Sequence, residues 1–294
     1  MIASIPSPSF NEISLGPLDI HVYGIAIALG VLVAVLVTTR RYERFGGNPA
    51  ILDGVFLWTI LLGFVGARLA YISTHTARFE GRWYATLFVW EGGLALFGGL
   101  TVGAITAVAL LRRRGGDPWV FADAAAVGLA LAQAIGRWGN YFNQELFGTP
   151  TTLPWGLEIA PEFRPDAYLD AATFHPTFLY ESLWNLLLVV PVILWLERRR
   201  WLPRGGSIAV YLMLYGVGRF LTELIRTDTT FRLFGLSRNG WVALGIVIGG
   251  GLLLWWRRRI GVPHGIPADD DGDLPAELPV DATAAATPPD GRPI

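Results

Sequence analysis

Three runs of this chain carry no charged residue over a length that crosses a bilayer: Ile20 to Thr39, Gly92 to Leu111 and Asn239 to Trp256. A hydrocarbon core about 30 Å thick needs roughly 20 apolar residues in helical form. Within lipid, only helices and closed barrels satisfy their own backbone polar groups. Four more apolar segments are interrupted by charge: Ile51 to Ser73 by Arg68, Pro118 to Arg137 by Asp123, Pro176 to Leu196 by Glu181, and Gly205 to Ile225 by Arg219 and Glu223. The composition, 52% hydrophobic and 16% charged over 294 residues, belongs to an integral membrane protein rather than a soluble enzyme. The expected fold is all-α, a polytopic membrane helix bundle of about seven transmembrane helices.

All 23 basic residues are arginine, and their placement orients the bundle. The short segments "RRYERFGGNP", "RRRGGDP", "ERRRWLPRGG" and the final "RRR" hold three, three, four and three of them, while the alternate loops are longer and poorer. The positive-inside rule puts these segments in the cytoplasm, the N-terminus outside and the C-terminus inside. The first residues lack the basic region of a signal peptide, so no cleavage is expected. Residues 1–260 read as one membrane domain, with a long outer loop at about 138–175 of the kind that usually has a task or a small fold of its own. Residues 261–294, rich in Pro, Asp and Ala with no aromatic residue, read as a disordered acidic cytoplasmic tail.

Orientation assigns each intramembrane polar residue a depth. Tyr23 falls near the outer end of the first span and Arg68 in the outer part of the second; Arg137 closes the fourth. Glu181 opens the fifth, and Arg219, Glu223 and Arg226 end the sixth. A charge within hydrocarbon costs about 2.5–3.5 kcal/mol on insertion scales and usually lines a cavity, so several at one depth predict a polar chamber at the outer face. Only Asp123 falls near the cytoplasmic side. Arg219, Glu223 and Arg226 share a helix face at i, i+4 and i+7. They form either a structural ladder or part of a phosphate clamp with Arg137, since planar guanidinium forks suit phosphate oxygens.

The densest stretch is "AIGRWGNYFNQELFG", with Arg137, Asn140, Asn143, Gln144 and Glu145 inside nine positions. Gly136 and Gly139 permit close backbone approach, the amides can orient phosphate or glycerol oxygens, and Glu145 can accept a proton. A polar helix end satisfied by water is the plainer alternative. In "HPTFLYES", His175, Tyr180 and Glu181 are either a titratable cluster or interfacial anchors. Gly98 and Gly99 either pack helices closely or turn backbone N–H groups toward a ligand. His21, His75, His175 and His264 show no metal-ligand spacing, and cysteine is absent, so no metal is expected. Neither a cofactor nor a nucleic-acid partner is expected.

"GRWGNYFNQELFG" resembles the signature of bacterial prolipoprotein diacylglyceryl transferases, G-R-x-G-N-x-x-N-x-E-x-x-G. "YGIAIALG", "GARLAY", "WEGGLALFGGL", "HPTFLYE" and "YGVGRFLTELIR" follow the family's order from about Tyr23 to Trp256. The resemblance implies transfer of the diacylglyceryl group from phosphatidylglycerol to the lipobox cysteine of a preprolipoprotein. A thioether forms and glycerol 1-phosphate is released. Localisation in the bacterial plasma (inner) membrane follows, with the lipid bilayer, phosphatidylglycerol and the preprolipoprotein signal peptide as partners. Carried over by motif, the family's important residues fall on Tyr23, Arg137, Asn140, Asn143, Glu145, Gly148, Arg219 and Glu223, and its second motif on His175, Tyr180 and Glu181. Where the family commonly has histidine in H-G-G-L, this chain has Phe97, which cannot accept a proton. The base is then Glu145, Glu223 or His175, or that histidine is not a required base. A transporter with a polar site near the outer face is the competing class, although it would call for helices broken at mid-depth.

Overall fold

The computed structural model describes residues 4–16, 18–88, 92–227 and 232–261. Among the described residues are eight α-helices: α1 (Val22–Arg44), α2 (Leu52–Thr74), α3 (Leu96–Arg113), α4 (Pro118–Phe142), α5 (Thr177–Trp184), α6 (Val190–Arg198), α7 (Gly206–Glu223) and α8 (Arg238–Ile260). A π-helical turn, Asn185–Val189, joins α5 to α6 in one continuous rod, Thr177–Arg198. Among the described residues, six rods are long and apolar enough to cross a membrane: α1, α2 with its leading turn, α3, α4, α5–α6 and α8. The remaining long helix, α7, carries Arg219 and Glu223 in its last two turns. Except for Gly261, the expected tail lies outside the described residues.

Small residues set the pairing. Antiparallel α1 and α4 approach at Gly30 against Ala132 and at Gly128 against Ala34, where an added Cβ would stand 2.9 Å from the facing carbonyl oxygen in each case. The α2–α3 hairpin meets at Gly66 and Gly98, and the α7–α8 hairpin at Gly216 and Gly250. Without a hydrophobic drive between helices in lipid, such contacts gain dispersion energy that larger side chains would prevent. Large apolar side chains face outward instead, as with Leu187 at 70% and Ile248 at 63% exposure, which suits contact with lipid rather than water.

Three apolar clusters hold the pairs together. Tyr42, Leu52, Val55, Leu111 and Ala124 lock α1 to α4 at the arginine-rich end. Val127, Ala130, Val189, Ile193 and Tyr211 join α4, the π turn, α6 and α7. Phe147, Leu157, Ile159, Phe174 and Phe178 form a small core in the segment after α4. Strands β3 (Leu157–Glu158) and β4 (Thr173–Phe174) pair antiparallel there, and Ile5 and Pro150 extend the pairing on either side. At the N-terminus, β1 (Glu12–Leu15) and β2 (Leu18–His21) form a hairpin that runs directly into α1. A third short hairpin, β5 (Arg232–Leu233) with β6 (Leu236–Ser237), leads into α8.

The buried charges at the arginine-rich end are structural. Asp123, 1% exposed, accepts from the backbone N–H groups of Gly205 at 2.6 Å and Ile208 at 3.1 Å. It thereby satisfies donors that the start of α7 leaves unpaired and meets the positive end of that helix dipole. Arg41 pairs with Glu197 at 2.6 Å, and Ser207 donates to the same carboxylate at 2.5 Å.

Candidate functional site

The polar stretch after α4's apolar face does not begin a loop. α4 continues through Phe142, so Arg137 and Asn140 stand on its final turns and the connection starts only at Asn143. Aromatic packing supports the extra turn: Trp138 and Tyr141 both contact the Phe178 ring, and Phe142 contacts Phe10. The chain then folds back through two left-handed residues, Gln144 (φ 49°) and Leu146 (φ 59°). Left-handed backbone at non-glycine residues costs about 1–3 kcal/mol each and persists where surrounding contacts over-determine it. Here those contacts are identifiable. Gln144 is buried, and its Oε1 accepts from Ala160 N at 2.8 Å; the Leu146 carbonyl accepts from Thr177 Oγ1 at 2.5 Å.

The reversal returns Glu145 to α4. Its Oε1 accepts from Asn140 Nδ2 at 2.7 Å and from Asn143 Nδ2 at 3.4 Å. Asn140 Oδ1 in turn accepts from Arg137 Nη1 at 3.4 Å, and Arg137 Nη2 pairs with Glu181 Oε2 at 2.5 Å. A continuous chain thus runs from Glu181 on α5 through Arg137 and Asn140 to Glu145. Tyr23, in the first turn of α1, lies against Gly139, where an added Cβ would stand 2.5 Å from the phenol ring. It is close enough to interact electrostatically with both Glu145 and Arg137.

Gly148 stitches this segment to its neighbours. Its N–H donates to the His175 carbonyl at 2.9 Å, His175 N donates to Thr149 O at 3.0 Å, and Thr149 N donates to Ile225 O at 2.6 Å. A Cβ at Gly148 would stand 2.8 Å from His175 Cβ and 3.0 Å from Ile225 O, so the start of α5 and the end of α7 approach because this position lacks a side chain. Beside it, Tyr180 Oη accepts from Trp155 Nε1 at 3.0 Å and lies 3.1 Å from His175 Nδ1. With the indole N–H already donating to it, the phenol has its own proton free to direct at His175 Nδ1.

At the end of α7, Arg219 Nη2 pairs with Glu223 Oε2 at 2.5 Å, the i,i+4 ladder anticipated from spacing. Arg226 does not continue that face. The helix ends at Glu223, and Arg226 instead forms an antiparallel backbone bridge with Gly148. Glu223 is 4% exposed and its Oε1 accepts from Ser237 Oγ at 2.6 Å. Arg219 Nη1 is buried with no hydrogen-bond partner among the described residues.

Three of the residues expected at the chamber are engaged elsewhere. Arg68 directs its guanidinium into backbone carbonyls of Ala85, Thr86, Phe88, Gly92 and Gly93, at 2.6 to 3.1 Å. Gly92 and Gly93 take left-handed conformations (φ 78° and 83°) that turn those carbonyls toward it, and α3 accordingly starts at Leu96 rather than Gly92. Gly98 and Gly99 face α2, against Ala70, Gly66, Ala67 and Gly63. Phe97 is 58% exposed. Conversely, sequence reading passed over Ser237 altogether. Its visible signal is a serine immediately before an apolar helix, but its partner Glu223 lies 14 residues upstream.

Two polar groups lie near the ends of α4 and α7: Glu181, Arg137, Asn140, Asn143 and Glu145 in one, Arg219, Glu223 and Ser237 in the other. The helices that carry them belong to a multi-pass membrane protein. The family model for prolipoprotein diacylglyceryl transferase matches residues 11–256. The chain is 42% identical to phosphatidylglycerol--prolipoprotein diacylglyceryl transferase 2 of Streptomyces coelicolor, across 98% of this chain and 94% of that protein. It is 44% identical to the enzyme of that name from Frankia alni, across 88% and 69%. For the Leifsonia xyli enzyme the identity is 45%, across 86% and 80%. The chain belongs to the prolipoprotein diacylglyceryl transferase family.

Proposed function

We propose that this chain transfers the diacylglyceryl group of phosphatidylglycerol to the cysteine thiol of a prolipoprotein, within the outer leaflet of a bacterial plasma membrane. α7 is the seventh crossing, the arginine-rich end is cytoplasmic, and the segment 143–176 is the outer loop. The relatives' names support both substrates. They give no support to a transporter.

Chemically, the cysteine sulfur attacks C3 of the lipid's diacylated glycerol. The carbon–sulfur bond forms as the carbon–oxygen bond to phosphate breaks. The leaving oxygen keeps the bonding electrons, so negative charge grows on the phosphate of glycerol 1-phosphate. Arg137 and Arg219 donate to that phosphate, and their interaction strengthens as charge develops, which is the differential stabilisation that lowers a barrier. The observation that carries this role is the buried Nη1 of Arg219. A cationic N–H sequestered without an acceptor is costly, and a phosphate oxygen supplies one. Asn140 and Tyr23 orient phosphate and glycerol oxygens.

The thiol must also lose its proton, since a free cysteine with pKa near about 8.5 is mostly protonated at neutral pH. Of the three glutamates, Glu181 and Glu223 are each neutralised by an arginine, whereas Glu145 is held by two amides. Glu145 is therefore the base: its charge is oriented without being compensated, and an approaching thiol can hand it a proton.

The test is incubation of purified protein with phosphatidylglycerol and a lipobox peptide, following the thioether product and released glycerol 1-phosphate. Wild type forms both; Arg137→Gln and Arg219→Gln stay folded and inserted but lose at least 100-fold in rate, on the order of an electrostatic stabiliser's removal. Near-normal rates in either variant would sink the phosphate role.

A further inference from the structure

We propose that Ser237 is a positioning residue for the transfer, holding Glu223, and through it Arg219, in the geometry that receives the phosphate. The proposal rests on the reading of Arg219 as a phosphate ligand.

Ser237 makes two hydrogen bonds at once. Its Oγ accepts from Gly240 N at 3.0 Å, which makes it the N-cap of α8, and it donates to Glu223 Oε1 at 2.6 Å. The two bonds use the hydroxyl's opposite capacities. The cap consumes a lone pair, which leaves the proton to point at the carboxylate. Glu223 then accepts the Ser237 hydrogen bond at Oε1 and holds Arg219 as an ion pair at Oε2. A carboxylate on a freely rotating χ3 would otherwise turn, and Arg219 would turn with it. Ser237 and Glu223 are 7% and 4% exposed. The cavity they share with Phe220, Leu224, Leu236 and Gly240 is about 10 Å³, room for about one water. The bond also links the end of α7 to the start of α8, close to where the chain after α7 bonds the segment after α4 through Ile225 and Thr149.

An N-cap serine is ordinarily structural, and the experiment separates the two roles. Glycine is nearly as good an N-cap as serine, whereas alanine is poor, and neither can donate to Glu223. Threonine keeps both functions. The positioning role predicts that Ser237→Gly and Ser237→Ala lose transfer together. The expected loss is roughly ten- to a hundredfold in kcat, in keeping with a lost bond to a charged group, and Ser237→Thr recovers most of it. In a Glu223→Gln background, Ser237→Gly should cost less than about twofold further, because coupled residues are not additive. A Ser237→Gly enzyme with near-wild-type kcat would overturn the proposal and leave a helix cap. So would a full second loss in the Glu223→Gln background, or a threonine variant no better than glycine. Failure of the underlying reading is distinct: wild-type protein would then form no thioether at all, or Arg219→Gln would remain active.

Discussion

Arginine in an apolar bundle is satisfied in two different ways in this molecule, and the difference supports the roles proposed above. Arg68 spends its donors on five backbone carbonyls and is closed to a ligand. Arg137 gives Nη2 to Glu181 and Nη1 to Asn140, while Arg219 gives Nη2 to Glu223 and keeps a buried Nη1 without a hydrogen-bond partner among the described residues. The charge of Arg68 is therefore expected to matter for stability alone. Arg68→Met should lower the thermal midpoint in detergent, with any residual folded protein retaining its KM for phosphatidylglycerol; a selective rise in KM at unchanged midpoint would contradict this. Glutamates divide in the same way. Glu145→Gln is expected to cut kcat by about 100-fold or more, the usual contribution of a general base. Phe97→Ala, at an exposed position, should cost less than about fivefold. Comparable losses in the two variants would remove Glu145 from the role.

At the scale of elements, the end of α4, the start of α5 and the end of α7 come together around Gly148, a position with no side chain. Gly148→Ala would bring a methyl to within 2.8 Å of His175 Cβ and 3.0 Å of the Ile225 carbonyl, both anchored by the segment's own backbone bonds. The expected outcome is separation of α5 and α7 by a few tenths of an ångström or more and loss of transfer beyond the loss of folded protein. A fully active Gly148→Ala enzyme would show that the convergence is not required. The two left-handed residues, Gln144 and Leu146, belong to this scale too. They aim Glu145 back at Asn140, and nothing in "NQEL" marks them, because neither is a glycine. The spacing of apolar residues was enough to find the helices, including α7, whose N-terminus Asp123 caps. It could not find where α4 ends. That boundary is set by aromatic contacts to Phe178 and Phe10, residues distant in the chain.

The whole molecule is a set of antiparallel pairs, α1 with α4, α2 with α3 and α7 with α8, closed by α5–α6 along α4 and α7. If the proposed orientation holds, residues 143–176 face outside and the arginine-rich turns face the cytoplasm. The chain has no cysteine, so single cysteines can be introduced without a background. Cysteine at Leu153 or Phe163 should react with an impermeant maleimide in intact cells, and cysteine at Gly115 or Trp201 only after permeabilisation. The reverse pattern would invert the topology and place the site at the inner leaflet.

Sequence by itself determined that the chain is a bundle of long apolar helices, which polar residues interrupt them, and the family to which their order belongs. These are local properties: a run of apolar residues or a spaced motif is legible wherever it occurs. Tertiary structure alone decided which arginine is buried in carbonyls and which pair with glutamate, that Glu145 has amide rather than cationic partners among the described residues, that Asp123 caps α7 and that Ser237 bonds Glu223. Those outcomes depend on partners 14 to 85 residues away, brought within hydrogen-bond reach by helix packing that no single segment encodes.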